Sequence, residues 1–235
     1  QGERTDIEAI QNMLRDGASV KEVADSHFKT WTGRYRAVDR YHQMCLKDKA
    51  KAFRHVKVHV LHGQAGANKS RTAEERAEAA GGGFYRPIVN NQGQVWFSNY
   101  EGEETLILDD FYGNIKFSYM LRLLDGYRME IERKGGQTYA MWNKVYITSN
   151  TPPDKWWNGF QNIPEQGKAG FQRRVTSITE CFAVKPRENN GWVAQRTMGV
   201  APLKRRNPFK GTMVGTYKVA EPLHKRRRRN PFRRS

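Results

Sequence analysis

One short loop restricts the possible folds of this 235-residue chain more than any other feature. The loop reads Gly63-Gln64-Ala65-Gly66-Ala67-Asn68-Lys69-Ser70. It follows His55–Leu61, which alternates like a strand, and precedes Arg71–Ala80, which is rich in helix-forming residues. A glycine-rich turn from a strand into a helix directs backbone N–H groups at an anion. The pattern predicts a phosphate-binding loop in an α/β domain with a largely parallel sheet, and a structural turn without a ligand is the alternative.

The residues of this loop have different expected roles. The backbone from Gly63 to Arg71 would surround the phosphates of a nucleotide, Lys69 would reach the β- and γ-phosphates, and the Ser70 hydroxyl would bind Mg²⁺. Asn68 stands where glycine usually precedes the lysine, and asparagine tolerates left-handed backbone angles better than most residues. Asparagine can therefore keep the loop in its phosphate-binding conformation, and nucleotide affinity is the property that this departure from the usual pattern leaves open.

Two apolar runs downstream end in polar side chains, and they read Leu106-Ile107-Leu108-Asp109-Asp110 and Val145-Tyr146-Ile147-Thr148-Ser149-Asn150. If the strand that ends at Leu108 is adjacent to the strand before the loop in a parallel sheet, Asp109 lies beside Ser70 and helps to hold Mg²⁺. Asp110 would orient or deprotonate the attacking water, and Asn150 would contact the γ-phosphate or that water. A strand followed by a polar turn also explains the carboxylates, but not their position after a lysine–serine loop.

Two basic features complete the candidate site. Lys134-Gly135-Gly136 lies between two strand-like segments, 128–132 and 137–142, which predicts a hairpin with a basic tip. The pair Arg173-Arg174 follows a predicted helix start. Paired arginines are usually solvated, but in an oligomeric ATPase one of them can reach the nucleotide of the neighbouring subunit.

The first fifty residues have the pattern of three helices. Thr5–Glu8 and Ser19–Glu22 both fit the capping box, in which a hydroxyl and a carboxylate satisfy the free backbone donors at a helix start. A third helix is predicted from Phe28 to Leu46. Three short helices bury little apolar surface alone, so we expect them to pack on a partner or on a second domain.

The charge of the chain is +17, from 41 Lys and Arg against 24 Asp and Glu, which favours a polyanionic partner. From Lys204 onward, twelve basic residues face one acidic residue, and residues 185–235 are predicted to be disordered. Lys225–Arg229 could be a nuclear import signal, a sequence-independent DNA contact or simply solvated charge. No apolar run approaches a membrane-spanning length, so we expect no membrane partner.

The order of these segments resembles the superfamily 3 helicase domain of replication initiator (Rep) proteins from circular single-stranded DNA viruses, the circoviruses and their relatives. The resemblance extends over about residues 2–184. It rests on Gly2-Glu3-Arg4-Thr5-Asp6, Asp109-Asp110-Phe111-Tyr112-Gly113, Lys134-Gly135-Gly136, Ile147-Thr148-Ser149-Asn150 and Arg173-Arg174-Val175-Thr176-Ser177-Ile178.

The resemblance implies an α/β fold with an AAA+-type P-loop ATPase core at residues 51–184, a small all-α oligomerisation domain at 1–50 and a basic tail at 185–235. It also implies a homo-oligomeric ring, expected to be a hexamer, that hydrolyses ATP with Mg²⁺ at its subunit interfaces and moves on single-stranded DNA during rolling-circle replication in the host nucleus. Lys134, Gly135 and Gly136 would contact DNA, and Arg173 or Arg174 would complete the neighbour's site.

Full-length members of this family also carry a nicking endonuclease with a His-x-His pair and a tyrosine nucleophile near a lysine. This sequence has neither pattern, so we expect it to be a piece of a larger protein. Two other classes of function are open. The chain could be a non-catalytic, basic nucleic-acid-binding protein with a degenerate P-loop, or an ATPase that remodels proteins.

Overall fold

The structure is a computed structural model that describes residues 2–133, 136–183 and 193–199. In these ranges it has seven helices and ten strands. In chain order they are α1 (Gly2–Asp16), α2 (Val20–Ser26), α3 (Phe28–Lys49), β1 (Lys57–Gly63), α4 (Lys69–Ala80), β2 (Phe84–Tyr85), β3 (Ile88–Val89), β4 (Val95–Trp96), β5 (Thr105–Leu108), α5 (Phe117–Leu123), β6 (Glu130–Arg133), β7 (Gly136–Tyr139), β8 (Lys144–Ser149), α6 (Trp156–Phe160), α7 (Glu165–Gln172), β9 (Val175–Ala183) and β10 (Val193–Gly199).

Helices α1, α2 and α3 pack around a small apolar core of their own, formed by Ile10, Leu14, Val23, Val38 and Cys45. The capping box of α2 is confirmed, because the Glu22 N–H donates to Ser19 Oγ and the Ser19 N–H donates to Glu22 Oε2. The predicted box at Thr5–Glu8 is wrong, since α1 begins at Gly2 and Thr5 lies inside it. Helix α3 continues to Lys49, three residues beyond the predicted end.

The main sheet has the strand order β10-β9-β1-β8-β5-β2. The five strands from β9 to β2 are parallel, and β10 pairs with β9 in the antiparallel direction. Strands β5 and β8 are almost entirely buried, as expected for parallel strands that helices cover on both faces. The sequence-based prediction of a mixed α/β fold with a parallel sheet is confirmed, whereas the AAA+ assignment stays a prediction.

The two faces of the sheet have different cores. Helix α4 covers one face, where Leu61, Ile107 and Tyr146 of the strands pack on Ala73 and Ala77 of the helix. The other face carries a larger core that includes Trp142, Trp156 and Phe171. Because apolar side chains fill both faces of the sheet, the sheet is rigidly packed. The polar residues that follow the strands are therefore held in fixed positions at the carboxyl ends of these strands.

Several predicted boundaries differ from the observed ones. Strand β1 runs from Lys57 to Gly63 rather than from His55, and α4 begins two residues before Arg71. The β6–β7 hairpin is shorter than predicted, and Gly136 is the first residue of β7 rather than part of the turn. Strand β10 lies in the segment expected to be disordered, so that expectation is wrong for residues 193–199.

The expectation that β1 and β5 are neighbours is also wrong, because β8 lies between them and pairs with both. No helix in the described ranges is both long and apolar enough to cross a membrane.

Candidate functional site

The loop between β1 and α4 has the backbone that its sequence predicts. Gly63 has a φ of 147°, and a Cβ atom there would lie 2.0 Å from the carbonyl oxygen of Cys181 on β9, so only glycine fits. Asn68, the residue before α4, has φ 53° and ψ 29°, in the left-handed region. The expectation that asparagine replaces the usual glycine by adopting left-handed angles is therefore confirmed.

Helix α4 begins directly after this turn, at Lys69. The N–H groups of Lys69, Ser70 and Arg71 lie in its first turn, where a helix offers no intrahelical acceptor. They can bind an anion together with the positive end of the helix dipole. The Arg71 side chain is exposed and pairs with Glu75 one turn further on, so its contribution to an anion site is its backbone.

Lys69 is the most buried charged residue of the loop, with 7% of its surface exposed. Its Nζ atom donates to the carbonyl oxygens of Gly63 (3.1 Å) and Gln64 (2.9 Å) and to Oδ1 of Asn150 (2.9 Å). Ala67 is buried against α4, whereas Ala65 and Gly66 are exposed at the outer side of the loop. The ammonium group is thus held at the mouth of the loop, next to the end of β8.

Ser70 and Asp109 are in contact as expected, although β1, which precedes the loop, and β5, which precedes Asp109, are not adjacent. Ser70 Oγ donates to Asp109 Oδ1 over 2.7 Å, and the Thr148 hydroxyl donates to the same oxygen. Burial alone would raise the pKa of Asp109, but these two hydrogen bonds and the positive charge of Arg86 outweigh burial and lower it. An ionised carboxylate beside a hydroxyl is a suitable oxygen set for Mg²⁺.

Asn150 connects the loop to the second carboxylate. Its Oδ1 accepts the hydrogen bond from Lys69, and its Nδ2 donates to Asp110 Oδ1 over 2.9 Å. Asp110 has a φ of 52°, a backbone angle that costs free energy outside glycine and that occurs preferentially at functional sites. Lys69, Asn150 and Asp110 therefore form one continuous hydrogen-bonded row across the edge of the sheet.

Two residues of this site were not predicted from sequence. The buried Thr148 donates to Asp109 and accepts from the Asp110 N–H at 2.9 Å, so it fixes the carboxylate of Asp109 and the backbone of Asp110. Arg86 follows β2, forms an ion pair with Glu74 of α4, and lines a cavity beside Asp109. Thr148 lies within the segment that marks the end of β8, whereas Arg86 has no sequence signal that we recognise.

Arg173 and Arg174 lie at the opposite end of the strands from the loop. They precede β9, which pairs with β1 from Val175–Val58 to Cys181–Gly63. Six strand residues, at about 3.3 Å each, separate the pair from the loop by about 20 Å. At this distance neither arginine can contact a nucleotide bound in the loop of its own chain.

The predicted DNA-contact residues are only partly described. Lys134 and Gly135 lie outside the described residues, and Gly136 begins β7. At the base of the hairpin, Arg133 donates to both carboxylate oxygens of Asp39 on α3, at 2.9 and 3.0 Å. The hairpin is thereby attached to the helical N-terminal segment.

The described ranges contain no group of three or more His, Cys, Asp or Glu side chains suited to hold a metal ion. The histidines of β1 have other surroundings, since His59 hydrogen-bonds Ser177 and stacks on Tyr146. A Mg²⁺ ion at Ser70 and Asp109 would therefore depend on oxygen atoms of the nucleotide and of water, which is usual for magnesium.

These features define a mixed α/β protein whose five parallel central strands are compatible with a P-loop-like core. No protein-family model matches the chain. Its homologues are circovirus-family replication-associated proteins, at about 30% identity over most of the chain. The replication-associated protein of Porcine circovirus 2 is 30% identical over 178 residues, which are 76% of this chain and 54% of that protein.

The corresponding protein of Porcine circovirus 1 is 31% identical over 178 residues, again 76% of this chain and 54% of the relative. That of Human associated cyclovirus 1 is 29% identical over 176 residues, 74% of this chain and 61% of the relative. The chain thus spans little more than half the length of these relatives.

Proposed function

We propose that this chain is an ATP-dependent DNA helicase or translocase of the superfamily 3 type that works in viral rolling-circle replication. The observation that carries the proposal is the hydrogen-bonded row from Lys69 through Asn150 to Asp110, together with the contact between Ser70 and Asp109. These five side chains come from α4 and from the loops after β5 and β8. A structural turn would not need them to converge.

The proposed roles follow from the chemistry of each group. The first turn of α4 and Lys69 bind the phosphates of ATP, and Ser70 and Asp109 hold Mg²⁺, which would offset phosphate charge. Asp110 would accept a proton from the attacking water or orient that water. Asn150 would hold Asp110 and Lys69 in position through its two hydrogen bonds. Thr148 holds the Asp109 carboxylate and the backbone N–H of Asp110 in place.

The position of the arginine pair supports a ring, because the pair lies about 20 Å from the loop of its own chain, at about 3.3 Å per strand residue. A head-to-tail contact between identical subunits would bring this edge of one subunit to the nucleotide edge of the next. Helices α1–α3 would support the ring, which we propose to be a hexamer. Arg173 or Arg174 would then stabilise negative charge on the transferred phosphoryl group.

The proposed nucleic-acid partner is single-stranded DNA in the channel of the ring, contacted by Lys134, Gly135 and Gly136. The net charge of +17 favours this partner. The proposed location is the host nucleus, with Lys225–Arg229 as the import signal. Deletion of these five residues from a fluorescent fusion should shift the fusion to the cytoplasm, and unchanged nuclear accumulation would contradict the assignment.

The same charge supports one competing function, a non-catalytic nucleic-acid-binding protein. Phosphate release from ATP and Mg²⁺, with and without single-stranded DNA, separates the two functions. We expect turnover that DNA stimulates and that Lys69→Ala abolishes, while Lys57→Ala, an exposed lysine at the other end of β1, leaves turnover unchanged. DNA binding without turnover in any of the three proteins would establish the binding protein instead.

A further inference from the structure

We infer that the two adjacent arginines have different tasks: Arg173 acts on the nucleotide of the neighbouring subunit, and Arg174 is a positioning residue that joins Arg173 to the base of the β6–β7 hairpin through Asp125. This inference rests on the proposed function, which treats the two arginines as alternatives. It adds a physical connection between the DNA hairpin and the trans-acting arginine.

Arg174 is fully engaged within its own subunit. Its Nη1 donates to the carbonyl oxygen of Gly170 over 2.6 Å, and its Nη2 forms an ion pair with Oδ2 of Asp125. Only 15% of the side chain is exposed. A contact with another subunit would require Arg174 to break both interactions and to leave Asp125 half-buried without its cation, which is costly.

Arg173 is in the opposite situation. Its backbone N–H donates to the carbonyl oxygen of Ala169 at the end of α7. Its side chain is exposed to solvent. The residues that the structure describes provide no hydrogen bond or ion pair for its guanidinium group. Of the two arginines, Arg173 is therefore the one that can extend to a neighbour without breaking an intramolecular contact.

Asp125 lies in the turn that leads from α5 into the hairpin. Its carboxylate accepts the Gly126 N–H at 2.9 Å, and the pair Phe53–Tyr127 forms an isolated antiparallel bridge. The Arg54 N–H donates to the Gly126 carbonyl oxygen at 2.7 Å, and a Cβ atom on Gly126 would lie 2.1 Å from the Arg54 carbonyl oxygen. This close pairing leaves the turn little freedom to move independently of the hairpin.

The buried Arg54 closes the base of the hairpin from the other side. Its Nη1 donates to the carbonyl oxygen of Trp142, which follows β7, and its Nη2 donates to those of Asp125 and Tyr127. The segments that flank the hairpin on both sides, at residues 127 and 142, are thus bound to one guanidinium group. A displacement of the hairpin is passed to Asp125 and, through its ion pair, to Arg174.

The last step is covalent, because Arg173 and Arg174 are joined by one peptide bond. A shift of Arg174 relative to the sheet changes the direction in which Arg173 leaves the end of α7. Hydrogen bonds and an ion pair thus connect the DNA-binding hairpin of one subunit with the ATP site of the next. The expected consequence is that loss of the ion pair uncouples DNA binding from hydrolysis in the neighbouring subunit.

The test uses mixtures of variants of the 235-residue chain that complement each other. Lys69→Ala subunits cannot use their own ATP but retain both arginines, and Arg173→Ala subunits retain a complete loop. Each variant should be inactive alone, and their mixture should recover ATP turnover that DNA stimulates. The same mixture is then made with Lys69→Ala subunits that also carry Asp125→Asn, with Asp25→Asn, an exposed ion-pair partner of Lys21, as the matched control.

We expect the Asp125→Asn mixture to recover turnover without DNA but to lose at least about fivefold of the DNA stimulation, the lower range of typical coupling between sites. The Asp25→Asn mixture should keep full stimulation. Arg174→Lys, which can retain the ion pair with Asp125, should lose less stimulation than Arg174→Ala. Thermal unfolding of each variant verifies that the subunits are folded.

Three results would overturn the inference. Full DNA stimulation in the Asp125→Asn mixture would show that the ion pair transmits nothing, although the proposed ATPase would stand. Turnover by Arg173→Ala subunits alone would show that Arg173 is not needed in the neighbouring site. If Arg174→Ala subunits were instead inactive alone and complemented by Lys69→Ala subunits, the roles of the two arginines would be exchanged. Absence of ATP turnover in the unmodified protein would instead remove the proposed function and this inference with it.

Discussion

Ser70 Oγ lies 2.7 Å from Asp109 Oδ1, although the two residues are 39 positions apart in the chain and β8 lies between β1, which precedes the loop, and β5, which precedes Asp109. The contact spans the intervening strand because Ser70 belongs to α4, which packs on the face of the sheet that β1, β8 and β5 form. Thr148 at the end of β8 lies directly beneath and donates to the same carboxylate oxygen. The candidate Mg²⁺ site therefore depends on three elements, of which β8 supplies the central support.

Thr148→Val should reduce ATP turnover by about ten- to a hundredfold, the usual loss when a partner of a metal ligand is removed. Valine keeps the volume of threonine but cannot donate to Asp109 or accept the Asp110 N–H. The initial rate of phosphate release at saturating ATP and Mg²⁺ measures this loss.

Thr105→Val is the matched control. Thr105 is fully buried on β5, and its hydroxyl has no hydrogen-bond partner within the described residues. Since the same change removes no interaction there, turnover should stay within about twofold and the protein should be at least as stable. An equal loss of turnover in both variants would assign the effect to general perturbation of the sheet.

Asn68→Ala should lower the free energy of unfolding by about 1 kcal/mol, because alanine at a φ of 53° clashes with its own backbone. Asn68→Gly should leave stability close to that of the unmodified protein, since glycine adopts this angle freely. Urea unfolding gives both values. A more stable Asn68→Ala protein would mean that the loop does not hold residue 68 in the left-handed conformation.

Gly63→Ala should cost about 3 kcal/mol or more, since its Cβ atom would lie 2.0 Å from the Cys181 carbonyl oxygen and force β1 and β9 apart. Gly66→Ala is the control, because residue 66 also has a positive φ but a Cβ atom there meets no other atom within 4 Å. Its expected cost is about 1 kcal/mol. Equal costs, measured by thermal unfolding, would show that backbone angle and not packing restricts residue 63.

The sequence predicted those parts of the site that follow apolar runs. Lys69, Asp109 and Asn150 were found because a buried strand that ends in polar residues marks one edge of a parallel sheet. Thr148 was not selected, since a threonine at the end of a strand is common without any function. The position of β8 between β1 and β5 could not be derived either, because strand order depends on packing that local patterns do not encode.

Contacts between distant segments were the least predictable. The capping box at Ser19 was correct and that at Thr5 was wrong, although both have the same pattern, because the choice depends on where α1 begins. The ion pair of Arg174 with Asp125 joins residues 49 positions apart, and neither residue lies in a pattern that indicates the other. Only the fold therefore distinguishes Arg174 from its neighbour Arg173.

Asp125→Asn should lower stability by an amount that depends on pH. Burial alone would raise the pKa of Asp125, but hydrogen bonds from Arg174 and from the Gly126 N–H, together with the charge of both arginines, lower it below its ordinary value of 3.8. Because the folded state favours the ionised form, this stabilisation is fully present above about pH 5 and is lost as pH falls through the lowered pKa.

At pH 7 we expect Asp125→Asn to reduce the free energy of unfolding by about 1.5–3 kcal/mol, the range for a hydrogen bond to a charged group. Below about pH 4 the difference from the unmodified protein should shrink, since protonation of Asp125 removes the same charge that the substitution removes. Urea unfolding of both proteins at several values between pH 3.5 and 7 measures this difference. A difference that grows as the pH falls would mean that Asp125 is not held ionised by Arg174, and the connection between the hairpin and Arg173 would lose its central contact.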